Sequence, residues 1–418
     1  MLTGQILGLL IVILIVVQIF GYLCKRIGQQ WVIGEILAGL ALGPSLFGWL
    51  FPGIKGLLFP VAALPTLQTL GDIGLILAMF VLGASLDTHL MLRQTRTATA
   101  ISLSSILLPL GIGAGTALFL FPTLAGPKAN VLSFTLLIGT AMSITAFPVL
   151  ARILSEKNML GTRIGVLALT SAAIDDVIAW CLLAVIIALV QAHGPLSAIL
   201  TIGFTLIFVI CMLMGVRPLL AYISQRINSK ELQTTFCIVL LLLAAYITNA
   251  LGIHPAFGAF LMGLILPRKV LYIGLVQAID RVNAVLFLPL YFVYSGLHTQ
   301  IGLIRTPWLW LICLLILGIA CAGKITGSMF VARFVGESWR TSFSLGILMN
   351  TRGLVELIVL NIGLDQGILS PTIFSMLVIM ALVTTMMTSP LLSRMGYTQK
   401  RVSESGEALE SSSLLEHT

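Results

Sequence analysis

Charge is scarce in this chain. Only 9% of its 418 residues are Asp, Glu, Lys or Arg, where soluble domains carry about 25%. In their place, 58% of the residues are hydrophobic, with a mean hydropathy of +1.10, so a water-soluble fold of this size is excluded. Paired cysteines are also missing. Cys24, Cys181, Cys211, Cys237, Cys313 and Cys321 stand singly in or beside apolar runs, without the CxxC or Cys/His spacing of metal centres, and read as packing thiols. The N-terminus lacks the basic region and small-residue cleavage site of a signal peptide, so the first apolar run is expected to be retained. The glycines between Leu110 and Thr116 have no strand before them, which argues against a phosphate loop. The formal charge of +8 is read as a record of which loops face the cytoplasm, and nucleic acid is not an expected partner.

Long apolar runs are what the sequence does contain. A hydrocarbon core of about 30 Å needs roughly 20 residues of helix, and runs of that order recur from end to end. Thirteen spans are expected, near 4–24, 31–49, 66–86, 97–121, 131–152, 161–191, 196–217, 232–251, 254–267, 283–299, 307–332, 341–363 and 371–393. The chain thus reads as an all-α polytopic membrane protein embedded in a lipid bilayer. With thirteen spans, 18 of the 23 Lys and Arg fall on one side, and Lys55, Lys128 and Arg305 on the other. That bias predicts an outside N-terminus and a cytoplasmic C-terminus. Residues 395–418 are too polar and short to form a domain, and are expected to be a disordered cytoplasmic tail without a nucleotide-binding module.

An internal repeat is faintly visible. Leu37-Ala-Gly-Leu-Ala-Leu-Gly-Pro44 in the second span matches Leu261-Met-Gly-Leu-Ile-Leu-Pro267 in the ninth. The offset of seven spans, an odd number, would place the two units in opposite orientations, the inverted repeat of many secondary transporters. Small residues that simply permit close helix packing are the competing explanation.

Charges inside spans are the informative residues, because each costs at least about 2.5–3.5 kcal/mol at a helix centre on insertion scales. Asp175 and Asp176 lie midway along the sixth span, Lys324 in the eleventh and Arg352 in the twelfth. Adjacent carboxylates on a helix point about 100° apart, so one can face a cavity while the other turns to a neighbouring helix. Two unpaired negative charges in low dielectric would force one to protonate, and a cation would hold the other ionised. Lys324 is the candidate for that cation. A purely structural ion triad is the alternative. The fifth span carries Ser143, Thr145 and Pro148, and the twelfth Asn350, Thr351, Arg352 and Gly353; both read as interruptions whose free carbonyls and half-helix ends face an ion. Arg352 and Glu356 are spaced to pair along one helix face. Glu35 and Asp72 are placed at span ends, as anchors or gates. His254 is read as a boundary residue, and Trp31, Trp49, Trp308 and Trp339 as an interfacial belt.

Four stretches together resemble the monovalent cation:proton antiporter-2 family, the Kef-, Kha- and plant CHX-like branch of the sodium/proton exchanger superfamily. They are Gly34 to Pro44, Ser143 to Arg152, Pro255 to Gly263 and Met349 to Leu357. The resemblance implies a homodimer and two crossed discontinuous helices. It also implies a core domain near 97–191 and 307–393 that moves against a scaffold near 4–86 and 232–299, with 196–217 as linker. It assigns Asp176 as the carboxylate that binds Na+ or K+ and H+, and Asp175 as the partner of Lys324. Thr145 and Ser143 would lie near the crossover, beside Arg352, Glu356 and Asn350. No cofactor and no enzymatic activity are implied, and the bacterial cytoplasmic membrane is the expected location. The missing nucleotide-binding tail departs from Kef-type potassium systems. Rival readings are a sodium-coupled symporter of the same fold and an ion channel or sensor.

Overall fold

The computed structural model describes residues 2–50, 60, 63–85, 95–191, 195–226, 229–267 and 270–396. The tail from 397 onward lies outside the described residues, as do Lys55, Arg93, Arg268 and Lys269. Helices make up nearly all of what is described: α1 Leu2–Arg26, α2 Trp31–Leu42, α3 Leu64–Ser85, α4 Thr95–Leu124, α5 Val131–Ser143, α6 Phe147–Glu156, α7 Arg163–Gln191, α8 Pro195–Cys211, α9 Arg217–Arg226 and α10 Lys230–Ala250. They continue with α11 Pro255–Leu264, α12 Val270–Val282, α13 Leu288–His298, α14 Pro307–Phe334, α15 Trp339–Met349, α16 Leu354–Asp365 and α17 Pro371–Arg394. Single π-helical turns, Met212–Val216 and Asn283–Phe287, join α8 to α9 and α12 to α13.

Ten spans among the described residues, three of them made of consecutive helices (α5 with α6, α8 with α9 and α12 with α13), or eleven if the bent pair α15 and α16 forms one more, are long and apolar enough to cross a membrane. Their surfaces show which solvent they meet. On α1, Leu9, Ile13 and Val17 are buried, while Leu7, Ile11, Ile15 and Ile19 on the opposite face are each more than half exposed. A helix apolar on both faces turns its outer face to lipid rather than water. Trp308 and Trp339 are exposed at helix ends, where such rings are stable at a bilayer interface. The cysteines make no disulfide: Cys24, Cys237 and Cys313 are buried, while Cys181 and Cys211 are exposed on apolar surfaces rather than packed inside.

Two helices are shorter than the sequence suggests. The second span, expected over 31–49, ends as a helix at Leu42 because Gly43 takes an extended backbone, the conformation favoured for a residue before proline. At twelve and ten residues, α2 and α11 reach only about 18 and 15 Å at 1.5 Å per residue. His254 caps α11, its Nδ1 accepting from the Ala256 amide at 3.3 Å.

Among the described residues, close helix packing falls within two sets. One consists of α1–α3 and α10–α13, the other of α4–α7 and α14–α17, and α8 and α9 run between them. The packing is also reciprocal: α2 lies on α13 as α11 lies on α3, α1 on α2 as α10 on α11, α4 on α5 as α14 on α15, and α7 on α4 as α17 on α14. Small residues permit the tightest approach. A Cβ on Gly83 would stand 2.1 Å from the Phe260 carbonyl oxygen, and one on Gly263 2.1 Å from that of Phe80, so α3 and α11 meet backbone to backbone. Across the two sets, Trp180 of α7 stacks on Phe260 of α11, ring centres 6.5 Å apart.

Candidate functional site

Two interrupted helices meet at the middle of the second set. Ile144–Ala146 separates α5 from α6, and Asn350–Gly353 separates α15 from α16, with a 41° bend between the latter pair. Pro148 explains the first break: at the second position of α6 its missing N–H is no loss, whereas further inside a helix it would remove a bond. The two breaks touch through the main chain, the Ala146 amide donating to the Thr351 carbonyl at 2.9 Å. Thr385 of α17 braces the second break, accepting from the Arg352 amide at 3.0 Å, with its hydroxyl 2.9 Å from the Arg352 carbonyl.

The charged residues are arranged around the ends of these half-helices. The carbonyl end of α5 receives two cations. Arg352 donates to Ala141 O at 2.6 Å and Met142 O at 2.7 Å, and Lys324 of α14 donates to Ser143 O. Positive groups are stabilised at a helix C-terminus, where unpaired carbonyls carry partial negative charge. The carbonyls expected to face an ion are therefore taken by side chains. Arg352 lies in the extended break, not on the helix as its spacing suggested. It reaches forward to Glu356 in the first turn of α16, with Nη1 to Oε1 at 3.4 Å and both side chains fully buried.

Asp175 and Asp176, halfway along α7, are both fully buried but have opposite surroundings. Asp175 is surrounded by donors. Ser102 reaches its Oδ1 at 2.5 Å, while Ser105 at 2.9 Å, Thr145 at 2.7 Å and Lys324 at 3.0 Å converge on Oδ2. Lys324 Nζ also donates to the carbonyl and hydroxyl oxygens of Ser105, each at 3.0 Å. Neither oxygen of Asp176 has a hydrogen-bond partner. The amide of Phe147, the first residue of α6, faces this carboxylate without reaching hydrogen-bond geometry, so the positive end of a half-helix looks toward it.

Thr145 lies within reach of both Asp175 and the Met349 carbonyl, the latter at 2.9 Å. Ser143 turns its hydroxyl back to Thr140 O at 2.8 Å and offers only its carbonyl to the cluster. Asn350 packs its amide on Cys321 Sγ at 3.5 Å and leaves Oδ1 without a partner. Glu35 is not at a solvated end: it is 3% exposed in α2, within electrostatic reach of Arg152. Asp72 sits inside α3, two turns from its start, rather than at an end. No group of His, Cys, Asp and Glu that could hold a metal ion occurs among the described residues.

Sequence reasoning missed Ser102 and Ser105. Their i, i+3 spacing within an apolar span puts both hydroxyls on one face of α4, a usable signal. It also missed Thr385, whose importance depends on which backbone α17 happens to touch.

Comparison with known proteins agrees with this arrangement. The chain is 40% identical over 392 residues to the Na(+)/H(+) antiporter NhaS4 of Synechocystis sp., covering 92% of this chain and 96% of that one. It is 38% identical to Cation/H(+) antiporter 18 of Arabidopsis thaliana, over 95% of this chain and 50% of the relative. It is 34% identical to K(+)/H(+) antiporter 1 of Saccharomyces cerevisiae, over 87% and 43%. The chain thus spans about half the length of the plant and yeast relatives. The fold matches the sodium proton antiporter MjNhaP1 of Methanocaldococcus jannaschii with a TM-score of 0.68 at 15% identity, covering 94% of this chain and 96% of that one. The sodium/hydrogen exchanger transmembrane family model matches residues 11–394, and the chain belongs to that family.

Proposed function

We propose that this chain is a secondary active antiporter exchanging a monovalent cation, Na+ or K+, for H+, with Asp176 as the group both ions compete for. One observation carries the reading: Asp176 is fully buried with both oxygens unpartnered, while its neighbour is saturated. A bare carboxylate in a dry interior is stable only once neutralised, by a proton or a cation. Asp175 and Lys324 neutralise each other and are not available to exchange. A protein that moves Asp176 only in its neutralised states couples the two ions without their meeting. Polar side chains near the crossover are few, mainly Ser143, Thr145, Asn350 and Thr351, which suits a small inorganic ion better than an organic anion and argues against the symporter.

The two helix sets supply the movement in this reading, with the set containing the crossover sliding as an elevator against the other. The reciprocal packing supports an inverted repeat. Counting α2, α11 and the broken pairs as crossings gives thirteen spans, an outside N-terminus and a cytoplasmic C-terminus. The homodimer is proposed from family likeness, and the relatives' names include both Na+ and K+ antiporters, so the cation is left as either.

Purified protein in proteoliposomes, with a pH dye and an imposed proton gradient, tests the reading. Addition of Na+ or K+ should dissipate the gradient, and Asp176→Asn should abolish that response. A leak independent of added cation would identify a channel, and full activity of Asp176→Asn would remove the residue from the mechanism.

A further inference from the structure

Aromatic contacts join the two helix sets close to Asp176. Trp180 of α7 has its ring centre 6.5 Å from those of both Phe257 and Phe260 of α11, tilted on the first and stacked on the second. All three rings are buried, Trp180 to 1% exposure. Helix α11 is a fixed platform for them. A Cβ on its Gly258 would stand 2.2 Å from the Ala244 carbonyl oxygen, so α10 holds α11 on one side as closely as α3 does on the other.

Trp180 stands four residues after Asp176, one turn along the same face of α7. Side chains on a helix lean toward its N-terminus and cover the turn before their own Cα, so the indole covers the turn that carries the carboxylate. Residue size on this face is lopsided. Toward the start of α7 the neighbours of Asp176 are Ala172 and Ala173, and toward the end they are Trp180, Leu183 and Ile187, all five buried. The start of α7 lies a short connection, 157–162, from the end of α6. At that end a cavity of about 580 Å³ opens between the sets, lined by Ile153 and Ser389 of the second set and by Gln29, which donates to the Met386 carbonyl at 3.2 Å. One turn further in along α6 and α17, Val149 and Thr385 line a narrow gap beside Gly353, and the Phe147 amide that faces Asp176 is two residues beyond Val149. Small residues and gaps thus separate Asp176 from this end of the bundle, and stacked rings from the other.

We propose that Trp180 is the lid of the ion site: its stack on Phe257 and Phe260 closes the route from Asp176 to the end of the bundle where α7 finishes, and parts before Asp176 is exchanged there. The lid rests on the antiport reading. An apolar constriction excludes water, and water reaching Asp176 from both ends at once would let protons cross without a cation. The indole N–H has no partner, so stacking, not a hydrogen bond, holds the lid shut.

Proteoliposomes holding a proton gradient and a pH dye test the lid. Trp180→Ala should let the gradient run down with no cation added, where wild type holds it until Na+ or K+ is supplied. Trp180→Phe, which keeps a ring in the stack, should restore the requirement for cation. Adding Asp176→Asn to Trp180→Ala should stop the leak, because the lid acts through that carboxylate. Phe260→Ala opens the same stack from the other set and supplies the test if Trp180→Ala does not fold. A gradient held as well by the alanine variants as by wild type would overturn the lid alone, as would a leak that survives Asp176→Asn. A wild type indifferent to cation would overturn the antiport reading, and the lid with it.

Discussion

Asp175 and Asp176 are chemically identical neighbours, and the surrounding helices alone distinguish them. Four donors from α4, the first break and α14 satisfy Asp175, whereas Asp176 meets only the unbonded end of α6. Removing one partner of a buried ion pair leaves an uncompensated charge, at a cost of about 3–5 kcal/mol. Asp175→Asn should therefore lower the melting temperature of the purified protein by leaving Lys324 unpaired, and adding Lys324→Met should restore most of it. Asp176→Asn removes an unpartnered buried charge and should melt no lower than wild type. If Asp175→Asn melted with the wild type, the pair would not be what holds Lys324 in place.

Each break is held by several weak devices rather than one strong one. Pro148 starts α6, Arg352 caps α5, Thr385 braces the backbone of the second break, and Gly353 lets the two breaks approach. A Cβ on Gly353 would come within 2.7 Å of Val149 Cγ2, and overpacking of that kind costs about 1–3 kcal/mol. Gly353→Ala should destabilise the protein by that amount in thermal melts, and Val149→Ala should recover much of it in the double variant, a coupling that only residues in contact show. Additive effects would place the strain elsewhere. Arg352 serves two carbonyls through two nitrogens, a geometry that a single lysine ammonium does not reproduce.

The protein as a body divides between the two helix sets, which a few hydrogen bonds, such as Asn361 Nδ2 to the Tyr291 hydroxyl at 3.0 Å, still bridge. Trp180 and Phe260 meet across the division by stacking alone, the indole N–H having no partner, and such contacts can slide without stranding a broken hydrogen bond. If the two sets move during transport, a tether between them should stop it. In a background without the six native cysteines, Gln29→Cys and Met386→Cys joined by a reducible bifunctional thiol reagent should block cation-dependent proton flux, and reduction should restore it. Undiminished flux through the tethered protein would show that the sets do not move apart.

Composition and run length were enough to determine an all-helical membrane protein, because each span needs only its own apolar residues and satisfies its own backbone. The buried charges were legible for the same reason: Asp175, Asp176, Lys324 and Arg352 stand out against apolar neighbours, since any ion there needs an explanation. Folding in three dimensions determined how those charges are used. Nothing local to Arg352 shows that it caps another helix, and nothing local to Glu35 shows that it is buried within electrostatic reach of Arg152 on α6. Ser102 and Ser105 complete the cage around Asp175 from seventy or more positions away. Hydropathy is a property of one segment, and it sets which parts enter the bilayer. Hydrogen-bond satisfaction in a medium without water is settled between segments, and only their packing leaves one aspartate saturated and the next one bare.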